Sequence, residues 1–159
     1  MSRLLISAIL LLSFANPALA GSCYSNVEAE AEQGIRIHSE LMVIGLNCQH
    51  MGKREGMNLY SEYRQFTSVH ADLFAKYEEI LMKYFSRNGK AKPESEINSL
   101  RTGFANKISN DVASMRPDVF CSRYAPRITK ASAMSHTDLR RWAATIHKSH
   151  PVSRPLCKS

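Results

Sequence analysis

The chain has 159 residues, of which 44% are hydrophobic and 22% charged, and its formal net charge is +7. This length fits one domain with a substantial core, and no stretch after residue 20 is long and apolar enough to span a membrane, so we expect a soluble product. The motifs of P-loop proteins, zinc proteases and serine hydrolases are all missing, which argues against an enzyme of these classes.

Residues 1–20 predict a removable export signal. A single charge, Arg3, precedes the apolar run 4–14, and residues 17–20 end in the small side chains that a signal peptidase recognises. The mature chain would then reach an oxidising compartment, which we expect to be the periplasm or the cell exterior. The alternative is a lipoprotein, in which Cys23 would carry lipid and remain unpaired, although one residue too many separates it from Leu19 for that signal.

The positive charge is concentrated near the C-terminus. Residues 21–121 contain 12 Lys and Arg against 13 Asp and Glu, whereas residues 122–159 contain 8 against a single acid, Asp138. We therefore expect a helical body at 21–121 and a basic extension at 122–159, packed on the body or tethered to it. Such asymmetry favours an acidic partner, either an anionic envelope component such as lipid, lipopolysaccharide or acidic polymer, or another envelope protein. Nucleic acid is not expected as a partner in that compartment. The alternative is a solvated tail that only aids solubility.

The first long helix is predicted over about residues 27–49. Its apolar residues recur at helical spacing on one stripe, and polar residues before it can cap its first turn. On another face Glu32, Arg36 and Glu40 are four residues apart, which indicates ion pairs exposed to solvent.

The second and third helices show the same periodicity. The second is predicted over about residues 58–86, and the third begins at Pro93, a residue that suits a first helical turn, and runs to about Met115. Because the connections are short, we expect antiparallel neighbours and hence an all-α, up-down-up three-helix bundle.

Two shorter elements are predicted in the C-terminal part. Residues 118–124 form about one helical turn before Pro126, and residues 137–147 form a short amphipathic helix. We expect its basic side and its tryptophan to contact an acidic partner or, peripherally, a membrane surface, whereas the alternative is that the tryptophan anchors the helix on the bundle. The residues of this predicted contact are Arg140, Arg141, Trp142 and Lys148.

Four cysteines predict two disulfides. A helix of about 22 residues spans about 33 Å, so Cys23 and Cys48 lie at opposite ends of the first helix and cannot pair. In an up-down-up bundle the first and third helices end on the same side, which pairs Cys48 with Cys121. Cys23 then pairs with Cys157 and ties the basic extension to the body.

A polar layer is predicted inside the bundle. Counting outward from the two turns places His38, His70 and Asp111 at a similar height, each on the inward stripe of its helix. Imidazole and carboxylate groups ligate Zn²⁺ and other divalent metals, so these residues form a candidate metal site. The alternative is a structural layer in which buried histidines hydrogen-bond to one another or to a carboxylate.

Several short motifs resemble a group of small exported helical, cysteine-containing proteins of proteobacteria. They are Glu40-Leu41-Met42, Gly45-Leu46-Asn47-Cys48, a helix centred on Tyr63, and Phe120-Cys121. The resemblance covers about residues 23–121 and implies export, helices and the use of cysteines, but no particular activity. The basic extension with Cys157 departs from the pattern of that group.

The sequence thus favours a non-catalytic exported envelope protein, a binding or interaction module whose basic tail meets an acidic partner. A metal-binding or metal-dependent protein that uses His38, His70 and Asp111 is the alternative. A third hypothesis is a small stress or assembly factor that binds unfolded chains or partner helices. No cofactor other than such a divalent metal is expected.

Overall fold

A computed structural model describes residues 23–51 and 58–158. The described residues are mostly helical, which confirms the all-α class, while the up-down-up arrangement stays a prediction. The predicted export signal at residues 1–20 lies outside the described residues. None of the helices in the described ranges is long and apolar enough to cross a membrane. The helices are α1 (Asn26–Cys48), α2 (Leu59–Val69), α3 (Ala71–Arg87), α4 (Pro93–Ser114), α5 (Pro117–Tyr124), α6 (Pro126–Ser132) and α7 (His136–Ala144).

Helix α1 is the central element, with α2, α3, α4 and α7 packed around it. It begins with a capping box, because the Ser25 hydroxyl accepts a hydrogen bond from the Glu28 backbone N–H while the Glu28 carboxylate accepts one from the Ser25 N–H. Most of its residues are buried, including polar ones. A helix surrounded on all sides must satisfy its polar side chains through its neighbours.

The charged face of α1 is buried, so the prediction of solvent-exposed ion pairs on it is wrong. Glu32 is 0% exposed, Arg36 6% and Glu40 5%. The reason is that α7 packs against α1 and the segment after α7 runs along the same helix. In that segment Ser153 donates a 2.6 Å hydrogen bond from its backbone N–H to Glu32, and its hydroxyl donates another.

Helices α1 and α3 approach each other closely at Gly34. A Cβ atom at this position would lie 2.3 Å from two ring carbons of Tyr77, so only glycine fits beneath the ring. Tyr77 is buried, and its hydroxyl donates a 3.0 Å hydrogen bond to Glu30 on α1. The missing side chain at Gly34 therefore sets the spacing of the two helices.

The predicted second helix is divided into α2 and α3 at His70. This residue has φ −106° and ψ 17°, outside the helical region, although its N–H still donates to the Phe66 carbonyl and its carbonyl still accepts from Phe74. One turn earlier, the Thr67 hydroxyl donates to the Tyr63 carbonyl, a bond that often bends helices. The chain is therefore interrupted locally at His70 without losing its backbone hydrogen bonds.

Two disulfides fasten both ends of α1. Cys48 pairs with Cys121, with a Cα–Cα distance of 5.5 Å, and Cys23 pairs with Cys157, with a distance of 5.0 Å. This is the predicted pairing, which rests on the length of the first helix together with the expected up-down-up order. Beside the second bridge, Tyr24 exchanges two backbone hydrogen bonds with the C-terminal segment. The last residues of the chain are therefore held against the start of α1.

The C-terminal part contains one more helix than predicted. The sequence predicts about one helical turn before Pro126 and no helix directly after it, but Pro126 occupies the first turn of α6, where its missing N–H needs no partner. Helix α7 begins with a capping box formed by Ser135 and Asp138 and ends at Ala144, earlier than predicted, because Thr145 has an extended backbone. Leu139, on its inner side, is 0% exposed.

Candidate functional site

Two of the three predicted metal ligands have protein partners of their own. The Nε2 atom of His38 lies 3.2 Å from the Tyr63 hydroxyl, within hydrogen-bonding distance. Asp111 accepts a hydrogen bond from the Tyr124 hydroxyl of α5. The two side chains are therefore engaged with different helices.

His70 faces a third direction, toward α7. Its ring is 1% exposed, and its centroid lies 4.7 Å from that of His136. The His70 Nδ1 atom is buried and has no hydrogen-bond partner among residues 23–51 and 58–158. Burial, and next the nearby His136, lowers the pKa of His70 below its ordinary value.

These positions correct the prediction of one shared layer formed by His38, His70 and Asp111. Across residues 23–51 and 58–158, no three His, Cys, Asp or Glu side chains are grouped so that they could hold a metal ion. Counting from the two turns requires one straight second helix. The interruption lies at His70 itself, whose ring packs against that of His136 on α7.

We predict that the protein loses stability as the pH falls below about 6.5. Burial is the first cause that lowers the folded-state pKa of His38, His70 and His150. As the pH falls, the histidines of the unfolded chain are therefore protonated at a higher pH than those of the folded protein. Acidification favours unfolding over the pH range between the ordinary histidine pKa and the lower folded-state pKa values. Urea unfolding at about pH 7.5 and about pH 5.5 measures the effect.

A matched pair of variants tests this origin. His70→Gln removes one of the buried imidazoles, so its free energy of unfolding should fall less between the two pH values than that of the wild type. His50→Gln, at an exposed position, should follow the wild type. Equal stability of the wild type at both pH values would contradict the prediction.

The four residues predicted to contact a partner, on α7 and just after it, have different surroundings in the structure. Arg140 donates two hydrogen bonds to Glu30 on α1, at 2.9 and 3.4 Å, so this cation serves an internal ion pair. Arg141 extends outward with 74% of its side chain exposed, and Lys148 is exposed as well. Trp142 is half-buried and packs against the core.

Part of the basic charge compensates the acids of α1. Besides the pair between Arg140 and Glu30, Arg127 of α6 lies 3.6 Å from Glu40, which also pairs with Arg36 at 3.0 Å. The nearly neutral body and the basic extension are therefore electrostatically complementary. Only the cations left outside these pairs are available to a partner.

A pocket of about 800 Å³ opens between α1, α6, α7 and the segment after α7. Four Lys and Arg side chains face two carboxylates in its wall, so the potential inside is positive. Its lining residues are Arg36, Glu40, Arg127, Lys130, Ala133, Met134, Asp138, Arg141, Trp142, Thr145, His147 and His150.

A buried hydrogen-bond network forms the floor of the pocket. The Arg36 Nε donates to Gln33 at 2.6 Å and its Nη1 donates to Glu40 at 3.0 Å, while the Gln33 amide donates to the His150 carbonyl at 3.0 Å. Burial, and next the charge of Arg36, lowers the pKa of His150, whose ring lies 3.8 Å from Glu40. These bonds connect α1 to the segment after α7, and Glu40 accepts a hydrogen bond from Arg36 with Arg127 and His150 nearby.

The rim of the pocket combines cations with an apolar wall. Within residues 23–51 and 58–158, Lys130 forms no ion pair, whereas Arg141 lies 3.1 Å from Asp138. Asp138 also caps α7, and the hydrogen bonds from Ser135 lower its pKa. Trp142 lies in the same wall and offers an aromatic surface. This combination suits an anion that carries an apolar group.

Sequence reasoning found two of these rim residues, Arg141 and Trp142, and missed Arg127 and Lys130. The two missed residues lie three positions apart on α6, just after a proline. Such an arrangement also occurs at ordinary helix starts, so it does not by itself indicate a binding site. Their placement opposite α7 depends on tertiary packing, for which the sequence offers no local signal.

Comparison of the chain with protein-family models, with curated proteins and with solved structures finds no match. The resemblance to small exported helical proteins therefore stays a prediction.

Proposed function

We propose that this protein is a non-catalytic, exported binding protein of the bacterial cell envelope whose basic C-terminal region binds an acidic partner. The observation that carries the proposal is the pocket between α1, α6 and α7, where cations outnumber carboxylates. An up-down-up bundle around α1 supports this region, and the disulfide of Cys157 holds the segment that follows it.

Two features support the location in this proposal. All four cysteines after the predicted signal are paired in the structure, and such bonds persist in oxidising compartments. Residues 1–20 have the composition of an export signal. The periplasm and the cell exterior are the oxidising sites that this combination favours.

The acidic nature of the partner follows from the charges that remain after internal pairing. Arg127 and Arg140 neutralise acids of α1 and Arg141 pairs with Asp138, but Lys130 and Lys148 form no ion pair within the described residues. These two lysines lie on α6 and just after α7. They produce a positive surface that attracts anionic groups over about a Debye length, 8–10 Å near physiological salt.

We expect the protein to co-sediment with vesicles that contain phosphatidylglycerol at low salt, and to be released as the salt rises above physiological levels. Neutral phosphatidylcholine vesicles should not retain it. The double variant Lys130→Glu with Lys148→Glu should lose the adsorption, because it reverses two cations without touching an internal ion pair.

The matched control reverses two exposed cations elsewhere. Arg64→Glu with Lys92→Glu changes the net charge by the same amount, on α2 and just before α4, and neither residue forms an ion pair within the described residues. It should adsorb nearly as well as the wild type. Failure of the wild type to bind the anionic vesicles at low salt, or equal losses in both double variants, would contradict the proposal.

A further inference from the structure

The pocket between α1, α6 and α7 combines a cationic rim with an apolar wall, and this combination limits the chemical class of ligand that fits it. We infer that it binds one anionic amphiphile, a molecule in which a phosphate or carboxylate group is joined to a hydrocarbon chain. This inference rests on the proposed function and names the class of ligand for that site.

The dimensions of the pocket suit a small molecule. Its volume of about 800 Å³ falls within the range of about 300–1,000 Å³ that is usual for ligand sites in proteins. The pocket is concave, whereas a flat basic surface would be enough for nonspecific attraction to a polymer. The size therefore favours one molecule over a polymer that lies across the surface.

The head group would lie at the α6 side of the pocket. Arg127 and Lys130 are three residues apart on this helix, so their side chains are neighbours. The Arg127 guanidinium stacks over the Tyr124 ring at 4.6 Å from the centroid and lies 3.6 Å from Glu40, which fixes its position while 39% of the side chain remains exposed. A held guanidinium beside an unpaired ammonium is a favourable arrangement for phosphate or carboxylate oxygens.

The two carboxylates in the wall do not oppose an anion strongly. Glu40 is 5% exposed and lies beside Arg36, Arg127 and the ring of His150. Asp138 accepts hydrogen bonds from the cap of α7 and pairs with Arg141. Since each already has donors, the net field that a ligand meets is that of the surplus cations.

The apolar part of the ligand would lie against Trp142, Met134 and Ala133. Trp142 and Met134 are half-buried and Ala133 is exposed, so an accessible apolar surface adjoins the cations. An inorganic anion would leave this surface in water, and a neutral apolar compound would leave the cations without a counter-ion. An amphiphile satisfies both parts of the wall.

Trp142 is the single tryptophan of the chain, so its fluorescence reports on the pocket directly. Decyl phosphate below its micelle concentration should change this fluorescence saturably, with one molecule bound per chain by calorimetry. Inorganic phosphate, which lacks the chain, and decyl maltoside, which lacks the charge, should each bind about tenfold more weakly or worse.

Three variants complete the test. Lys130→Glu should weaken the binding of decyl phosphate about tenfold or more, and the control Lys92→Glu should not change it. Ala133→Phe narrows the pocket without altering charge, so it should lose decyl phosphate while keeping adsorption to anionic vesicles. These results would also distinguish a free amphiphile from a lipid that stays in its membrane, since only the former requires the open pocket.

The inference is overturned if Trp142 does not respond to decyl phosphate, or if inorganic phosphate binds as tightly as decyl phosphate. It is also overturned if Ala133→Phe binds like the wild type. If adsorption to anionic vesicles persists in any of these cases, the proposed function still holds, with the protein binding its acidic partner through its surface and not through the pocket. Failure of this inference is therefore distinguishable from failure of the proposed function.

Discussion

Replacing Gly34 with alanine should destabilise the folded protein by about 2–3 kcal/mol, a typical cost of overpacking a core. The added Cβ would lie 2.3 Å from two ring carbons of Tyr77. That ring is buried and its hydroxyl is bonded to Glu30, so it cannot move aside without breaking other contacts. Urea unfolding followed by circular dichroism measures the change in the free energy of unfolding.

Gly103→Ala is the matched control. Gly103 also lies inside a helix, α4, but a Cβ atom there would meet no atom of the described part of the chain within 4 Å. Alanine at this position should leave the stability unchanged or raise it by about 0.5–1 kcal/mol, because it restricts the unfolded chain. Effects of the same sign and size in both variants would contradict the close approach of α1 and α3.

Replacing Glu40 with glutamine should destabilise the protein by about 3 kcal/mol, since breaking a buried ion pair leaves the opposite charge uncompensated. Glu40 lies 3.0 Å from Arg36 and 3.6 Å from Arg127, and its side chain is 7% exposed. The buried Arg36 would lose its negatively charged partner and keep only neutral acceptors, the Gln33 side chain and the new amide oxygen. The free energy of unfolding from urea titration measures this loss.

The control for this change is Glu79→Gln. Glu79 also bridges two cations, Lys76 and Lys83, but its side chain is 48% exposed on α3. Exposed ion pairs contribute little because solvent and salt screen them, so this variant should differ little from the wild type. If Glu40→Gln were equally mild, α7 and the C-terminal segment would not cover the charged face of α1 as described.

Local signals in the sequence were sufficient for the parts of the fold that local chemistry controls. The polar cap before α1 and Pro93 at the start of α4 mark helix ends, because they depend on a few adjacent residues. The cysteine pairing was predictable as well, since the length of α1 excludes a bond between Cys23 and Cys48 and the expected order of the helices selects Cys121 as the partner of Cys48.

The charged face of α1 could not be assigned correctly from spacing alone. Glu32, Arg36 and Glu40 have the same four-residue spacing whether water or another segment covers them. The residues that cover Glu32 follow more than 100 positions later, at Ser153. A helical repeat contains no information about such distant partners.

The candidate site was predicted in part for the same reason. Arg141 and Trp142 belong to an amphipathic stretch whose charge and apolar side are visible in sequence. Arg140 is adjacent to them and cannot be told apart from Arg141 by sequence, but its position on α7 places its side chain against Glu30. Lys130 enters the site only because α6 packs beside α7. Which residues line the pocket therefore depends on how α6 and α7 pack beside each other.

Amide chemical-shift mapping with bicelles that contain phosphatidylglycerol tests the central claim most directly. At low salt, the account predicts shift changes confined to residues 126–150, together with the facing turn of α1 around Arg36 and Glu40. The changes should fade as salt is raised. Absence of any change at low salt, or changes centred on another face such as that of α3, would contradict the claim that this basic region binds an acidic partner.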